Sequence, residues 1–93
     1  MGETRSVTRQ DGEFWRLVAK YRRGKRGHML KALTTTAHNS TEIADRIGIA
    51  SNTAGCYLRE AKREGLVKCV TPEADRYKMY VLTDKGHEVA EEL

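Results

Sequence analysis

Three histidines and two cysteines are the residues best suited to catalysis or metal binding, but their spacing supports neither. His28, His38 and His87 lie far apart in the sequence, and none has a partner at a ligand spacing such as HxxxH or CxxC. Cys56 and Cys69 form neither a disulfide framework nor a zinc site. No glycine-rich phosphate loop follows a predicted strand. We therefore expect no catalytic residue, no metal and no cofactor.

A second set of polar residues follows one face of a predicted helix over residues 51–64. The opposite face carries the apolar spacing i, i+3, i+4, i+7 of a half-buried helix, at Ala54, Tyr57, Leu58 and Ala61. Ser51 or Asn52 is expected to cap its start, and Gly65 supplies the left-handed residue that ends such a helix. The polar face begins with short side chains and becomes cationic towards the end of the helix. Its residues are Ser51, Asn52, Thr53, Cys56, Arg59, Lys62 and Arg63. It is either a solvated surface or a binding surface.

The elements around this helix form a recognisable order. Upstream, Asn39 and Glu42 are spaced as a capping-box pair, and an apolar stripe leads to Gly48. Two helices joined by a short turn containing glycine make a helix-turn-helix. Downstream, residues 66–70 and 77–82 are strand-like and flank a polar turn. A helix-turn-helix followed by a β-hairpin is a winged helix-turn-helix arrangement.

The chain resembles the winged helix-turn-helix DNA-binding proteins of bacteria and archaea. Residues 40–48 read STEIADRIG and match the pattern (S/T)-x-E-I-A-x-x-x-G. Residues 58–67 supply L-R-E and G-L-V, and residues 75–86 supply D-R, L-T and a final glycine, which looks like the wing of the multiple-antibiotic-resistance (MarR) type regulators. The resemblance covers about residues 25–93. It implies an α+β fold, with a three-helix core, a two-stranded β-hairpin wing and flanking N- and C-terminal helices.

The resemblance also implies sequence-specific binding of double-stranded DNA by a transcriptional regulator. The recognition helix 51–64 would lie in the major groove, where Ser51, Asn52 and Thr53 reach base edges and Asn pairs bidentately with adenine. Arg59 would reach guanine or a phosphate. The other members of the predicted DNA-contacting set on this helix and the one before it are Thr41, Cys56, Lys62 and Arg63.

The wing, residues 70–77, would lie at the minor groove or the DNA backbone. Arg76 suits a narrow minor groove because its negative potential attracts arginine, and Lys78 follows close by. The structural alternative for Arg76 is a surface turn pair with Asp75, which would stabilise little.

The densest cationic run lies before the helix-turn-helix. Its members Arg22, Arg23, Lys25 and Arg26 contact phosphates or form a solvated surface, and its glycines favour a break between helices. The next helix is then expected over about residues 26–34.

Two observations on the recognition helix leave alternatives open. Glu60 and Glu64 count against DNA unless they turn away from the groove. Cys56 is either a thiol whose oxidation would alter binding or a small neutral side chain that fills the groove. Cys69 is expected in the core.

Length and composition limit the size of the domain, its location and the kind of partner it can bind. A chain of 93 residues with 39% hydrophobic and 32% charged residues predicts one small globular domain. The net charge of +4 and pI near 9.3 fit a polyanionic partner. Residues 1–12 are expected to be a disordered tail and residues 13–93 the domain. The tail lacks a signal-peptide core and no run is long enough to span a bilayer. We therefore expect a cytoplasmic, nucleoid-associated protein with no membrane partner and no evident small-molecule ligand.

The terminal helices raise the question of oligomeric state. Residues 13–23 place Phe14, Leu17, Val18 and Tyr21 at helical spacing, which either covers the domain's own core or forms a dimer. We expect a homodimer through residues 13–23, residues 84–93 or both, able to read two half-sites. The rival to DNA recognition is a winged-helix module for protein interaction or RNA binding without base readout. An enzyme would need a site that this sequence does not display.

Overall fold

The computed structural model describes residues 12–93. Within this range the chain forms five helices and two strands: α1 (Gly12–Arg22), α2 (Gly24–Ala32), α3 (Ser40–Ile47), α4 (Ser51–Arg63), β1 (Val67–Cys69), β2 (Tyr80–Leu82) and α5 (Asp84–Glu91). The tail predicted over residues 1–12 lies outside the described residues, apart from Gly12, which begins α1.

One hydrophobic core is shared by all five helices and the hairpin. Helix α1 turns its whole apolar stripe into this core: Phe14, Leu17, Val18 and Tyr21 are buried. The stripe therefore covers the domain's own core, and Trp15 beside it stays 46% exposed, packed edge-on against the Phe14 ring. No helix within residues 12–93 has both the length and the apolar character needed to cross a membrane.

Local capping signals produce the helix-turn-helix as predicted, with one exception. Asn39 and Glu42 form a full capping box, in which each side chain accepts from the other residue's backbone amide, at 2.8 and 3.1 Å. Gly65, at φ 79°, follows α4 as expected. The cap predicted for α4 was wrong, because the N-cap is Ala50 and no side chain accepts from the first turn. Ser51 and Asn52 already lie inside the helix and point outward.

The helix break lies in the basic run, as its glycines predicted, but it is short. Only Arg23 lies between α1 and α2, Gly24 has a positive φ of 64°, and α2 covers residues 24–32 instead of 26–34. Gly27 lies buried inside α2, and a Cβ there would lie 2.2 Å from the Tyr21 carbonyl oxygen, so no larger residue fits. This glycine is present for a close approach between helices.

The hairpin is shorter than predicted. Strands β1 and β2 pair antiparallel with Val67 opposite Leu82, and residues 70–79 form the loop between them. Tyr77, predicted to begin the second strand, has φ 56°, which is incompatible with a strand. On its other side, β2 pairs with a single residue, His38, through Tyr80.

The last helix closes the domain. Thr83 caps the helix by accepting from the Gly86 amide at 3.0 Å, and its hydroxyl donates to the Gly65 carbonyl at 2.6 Å. A Cβ at Gly86 would lie 2.0 Å from the Leu66 carbonyl oxygen. At this point helix α5 and the residue that leads into the hairpin are therefore in backbone contact.

Replacing Gly86 by alanine should destabilise the protein, because its Cβ would displace backbone that cannot yield as a flexible side chain does. We expect a loss of about 1–3 kcal/mol in the free energy of unfolding, measured by urea denaturation. Gly55→Ala, where the nearest atom is the Arg59 guanidinium at 3.6 Å, is the matched control. It should stabilise by about 0.5–1 kcal/mol through helix propensity. Equal effects at both positions would contradict the close-approach argument.

Candidate nucleic-acid interface

Helix α4 presents one apolar and one polar face. Ala54, Leu58 and Ala61 are buried in the core, which fixes the rotation of the helix about its own axis. The predicted polar face is on the outside, where Thr53 is half-buried and these residues are exposed: Ser51, Asn52, Cys56, Arg59, Lys62 and Arg63.

Arg59 lies at the centre of this face. Its guanidinium lies back along the helix, near Gly55, and donates to the Cys56 sulfur at 3.4 Å. Among residues 12–93 this is its one hydrogen bond, and a thiol is a weak acceptor. The strong donors of Arg59 are therefore available to an outside acceptor.

Two surface grooves meet at Arg59. The first runs between the starts of α3 and α4 and is lined by Ser40, Thr41, Ser51, Asn52, Gly55, Cys56 and Arg59. The second separates α4 from the hairpin loop and is lined by Ser40, Gly55, Leu58, Arg59, Asp75, Arg76, Tyr77, Lys78 and Tyr80. Side chains from the helix-turn-helix and the wing thus border one continuous surface. Of the residues that sequence reasoning missed, Ser40 adjoins the predicted Thr41, whereas Tyr77 gave no signal in the sequence pattern.

The wing loop is held in shape by its own polar groups. The Lys78 ammonium donates to the carbonyl oxygens of Pro72 and Ala74 at 2.8 and 2.7 Å, and the Thr71 hydroxyl accepts from the Met79 amide. Lys78, predicted as a DNA contact, is therefore also the residue that closes the loop. Arg76 is exposed, and no ion pair joins it to Asp75 within the described part of the chain.

The two carboxylates at the end of α4 turn away from the polar face. Glu60 pairs with Lys20 at 2.7 Å and with Arg26 at 2.8 Å, and Glu64 pairs with Lys20 at 2.6 Å and accepts from the Tyr21 hydroxyl. The hydrogen bond that Lys20 donates to Glu60 holds the pKa of Glu60 below its usual value and raises the pKa of Lys20. Burial and the bond to Glu64 raise the pKa of Tyr21. We call these five residues the back-face network.

Comparisons with known proteins bear on this arrangement. No protein-family model matches the chain, and no curated protein matches it. Among solved structures, a mutant of Lactococcus lactis ZitR in complex with DNA has a TM-score of 0.65 at 23% identity, over 74% of this chain and 48% of that chain. RV1404 from Mycobacterium tuberculosis has a TM-score of 0.69 at 18% identity, over 81% of this chain and 54% of that chain. The S. aureus MepR–DNA complex has a TM-score of 0.66 at 19% identity, over 94% of this chain and 75% of that chain.

The chain has a winged helix-turn-helix fold. Helices α2, α3 and α4 form its core, the hairpin is the wing, and α1 and α5 flank them. The similarity extends to MarR-type regulators such as ZitR and MepR, as the sequence motifs suggested. The chain spans about half the length of the ZitR and RV1404 structures it matches.

In this winged helix, most of the basic run is engaged inside the domain. Arg26 donates to Glu60 and lies over the Tyr57 ring, 4.5 Å from its centroid. Lys25 donates to the Ile47 carbonyl at 2.8 Å and Arg22 to the Glu92 carbonyl at 2.9 Å, so each satisfies an acceptor near the end of a helix. Arg23 is exposed at the N-cap of α2. Of the four, it is the one cation with no intramolecular hydrogen bond or ion pair within residues 12–93.

The winged helix brings no set of histidines, cysteines and carboxylates together. Within residues 12–93 no group of three such residues is placed to hold a metal ion. His38 is buried with Nδ1 3.3 Å from the Glu42 carboxylate and Nε2 without a hydrogen-bond partner. Cys69, expected in the core, is half-buried on β1.

Glu60→Gln should lower stability near neutral pH, because the neutral amide loses the charge that pairs with Lys20 and Arg26. Both cations are about a third exposed, so we expect a loss of about 1 kcal/mol in the free energy of unfolding. The folded-state pKa of Glu60 lies below 4.5. Its contribution is therefore present above pH 4.5 and disappears as the pH falls through the folded value.

The measurement is urea denaturation of both proteins between pH 3 and pH 7, with Glu73→Gln on the exposed wing as control. A difference between Glu60→Gln and the parent that grows on acidification would contradict the assignment of this charge.

Proposed function

We propose that this chain binds double-stranded DNA sequence-specifically as a transcriptional regulator, with α4 in the major groove. The observation that carries the proposal is the charge of the exposed face of α4. That face has hydrogen-bonding side chains at its start and cations further on, while Glu60 and Glu64 pair with the opposite side of the domain. A rival module for protein interaction would not require this separation, whereas an RNA-binding module would, and the two nucleic acids differ in whether bases are read in the major groove. A function of this kind implies a cytoplasmic protein associated with the nucleoid.

Each residue of the surface then has a role that follows from its chemistry. Ser51 and Asn52 reach base edges, and an Asn amide matches the donor and acceptor of adenine. Arg59 serves guanine or a phosphate from the junction of the two grooves. Lys62 and Arg63 meet the backbone, which supplies affinity without sequence choice. The ZitR and MepR structures solved with DNA support this use of the fold.

Several cations of the basic run, which were expected to contact phosphates, form hydrogen bonds within the domain, so other cations are also considered for these contacts. Arg26 is engaged by Glu60 and Tyr57, so its removal would act first on the folding of the domain. Arg22 and Lys25 are exposed but donate to backbone carbonyls, whereas Arg23, Lys62, Arg63 and Arg76 are exposed and make no hydrogen bond or ion pair within residues 12–93, so they are best placed to meet the DNA backbone. Thr41, in the first turn of α3, can donate to a phosphate from the edge of the first groove.

The primary test is fluorescence anisotropy of a labelled mixed-sequence duplex, titrated with the parent protein over a salt series. We expect affinity to fall steeply with salt, because neutralised phosphates release counterions. An absence of binding at low salt would reject the proposed function. Selection from random duplexes then yields the preferred site.

Asn52→Ala should cost about 1–3 kcal/mol on the preferred site and relax its sequence preference, because the bidentate contact to one base is lost. Lys62→Ala is the contrasting variant on the same helix face. It should weaken all duplexes alike and reduce the salt slope by about one. Preserved discrimination in Asn52→Ala would show that α4 does not read bases through this residue.

We further propose that the chain forms a homodimer through α1, α5 or both. These helices pack side by side on the flank of the winged-helix core, and Trp15 on α1 stays 46% exposed. A flat aromatic at such a position suits an interface between copies.

Sedimentation analysis of the parent should give about twice the 10.5 kDa of one chain. Trp15→Glu should return the mass to that of a monomer. Val70→Glu, at an equally exposed apolar position on the wing, should leave it unchanged. A parent protein that sediments as a monomer at high concentration would reject the dimer.

A further inference from the structure

Tyr77 at the wing combines two unusual properties. Its side chain is 64% exposed, the most exposed of the large hydrophobic residues in the described chain. It is also the one residue other than glycine with positive φ, at 56°, within residues 12–93. A bulky side chain in the left-handed region is strained, and glycine or asparagine adopts that region at less cost.

The surrounding loop imposes this conformation. Lys78 is tied to the Pro72 and Ala74 carbonyls, and the next amide, that of Met79, donates to the Thr71 hydroxyl. The loop 70–79 contains no glycine that could take up the turn. The strain is therefore placed on an aromatic residue that contributes nothing to the core, and strain held in this way is typical of functional positions.

Its location indicates what the ring faces. Tyr77 lines the groove between α4 and the wing, together with Arg59, Arg76 and Lys78. Three cations and one carboxylate, Asp75, border this groove. The charge complements a polyanion, and an amphipathic phenol offers an apolar ring and a hydroxyl donor at the same surface.

We propose that Tyr77 is the wing's contact with the sugar–phosphate backbone of the duplex held by α4. The ring packs against deoxyribose, its hydroxyl donates to a phosphate oxygen, and Arg76 beside it neutralises that phosphate. This inference rests on the proposed function and adds a residue to it. Because sugars and phosphates are common to all sequences, Tyr77 supplies affinity and no sequence choice.

The test uses Tyr77→Gly and Tyr77→Asn in the full chain, because both residues accept the left-handed conformation. Relief of strain should keep or raise the melting temperature, by up to about 4–8 °C. Loss of the ring and hydroxyl should weaken DNA binding about tenfold, equally for the preferred and the mixed-sequence duplex. Thr35→Ala, at an exposed position in the turn between α2 and α3, is the control and should change neither property.

Tyr77→Phe separates the two contacts, and an intermediate loss of affinity is expected because the ring remains. Parent-like DNA affinity in Tyr77→Gly would overturn the inference and leave the proposed function intact. A loss confined to the preferred site would also overturn it, because the contact would then be with a base. A loss of affinity accompanied by a lower melting temperature would mean that the ring stabilises the loop, and would equally overturn it. If the parent protein binds no duplex, the proposed function itself falls.

Discussion

The charge of the exposed face of helix α4 depends on the back-face network. Lys20 on α1 and Arg26 on α2 hold Glu60, and Lys20 together with the buried Tyr21 holds Glu64. These contacts lie on the side of α4 away from the grooves, so a single set of ion pairs serves both folding and surface charge. It docks the helix on the domain and removes negative charge from the face that would meet DNA. Partly exposed ion pairs add little to the free energy of unfolding. Their greater effect is on the electrostatic potential, which they leave positive over the exposed face of α4.

At the wing, too, one charged side chain serves both the fold and the surface charge. Lys78 closes the loop through two backbone carbonyls, yet its charge stays at the groove shared with Arg59 and Arg76. Shape and electrostatics are set by the same side chain. Because the loop is fixed before any partner arrives, little conformational entropy remains to be lost on binding.

Local signals predicted most of the fold, whereas contacts between distant residues lay beyond them. The capping box at Asn39 and the end of α4 at Gly65 each depend on neighbours within a few residues. The polar face of α4 followed from helical periodicity. Arg26 and Glu60 are 34 residues apart, and Lys20 and Glu64 are 44 apart, so the sequence pattern could not reveal that these charges are engaged with each other. The predicted start of α2 came too late because local rules treat Gly27 as a helix breaker, whereas the contact with the Tyr21 carbonyl requires its small size inside the helix. The left-handed Tyr77 follows from hydrogen bonds across the loop, between residues four to eight apart, which the alternating strand pattern does not reveal.

The two backbone contacts at Gly27 and Gly86 have a mechanical consequence. At Gly27 the end of α1 rests on α2, and at Gly86 helix α5 rests on the residue that leads into the wing. Neither contact has a side chain that could change rotamer and absorb a displacement. A partner that tilts α1 or α5 would therefore move the helix-turn-helix or the wing with it. In the proposed homodimer, the tilt of the flanking helices would then set the distance between the two α4 helices, from outside the proposed DNA-binding surface.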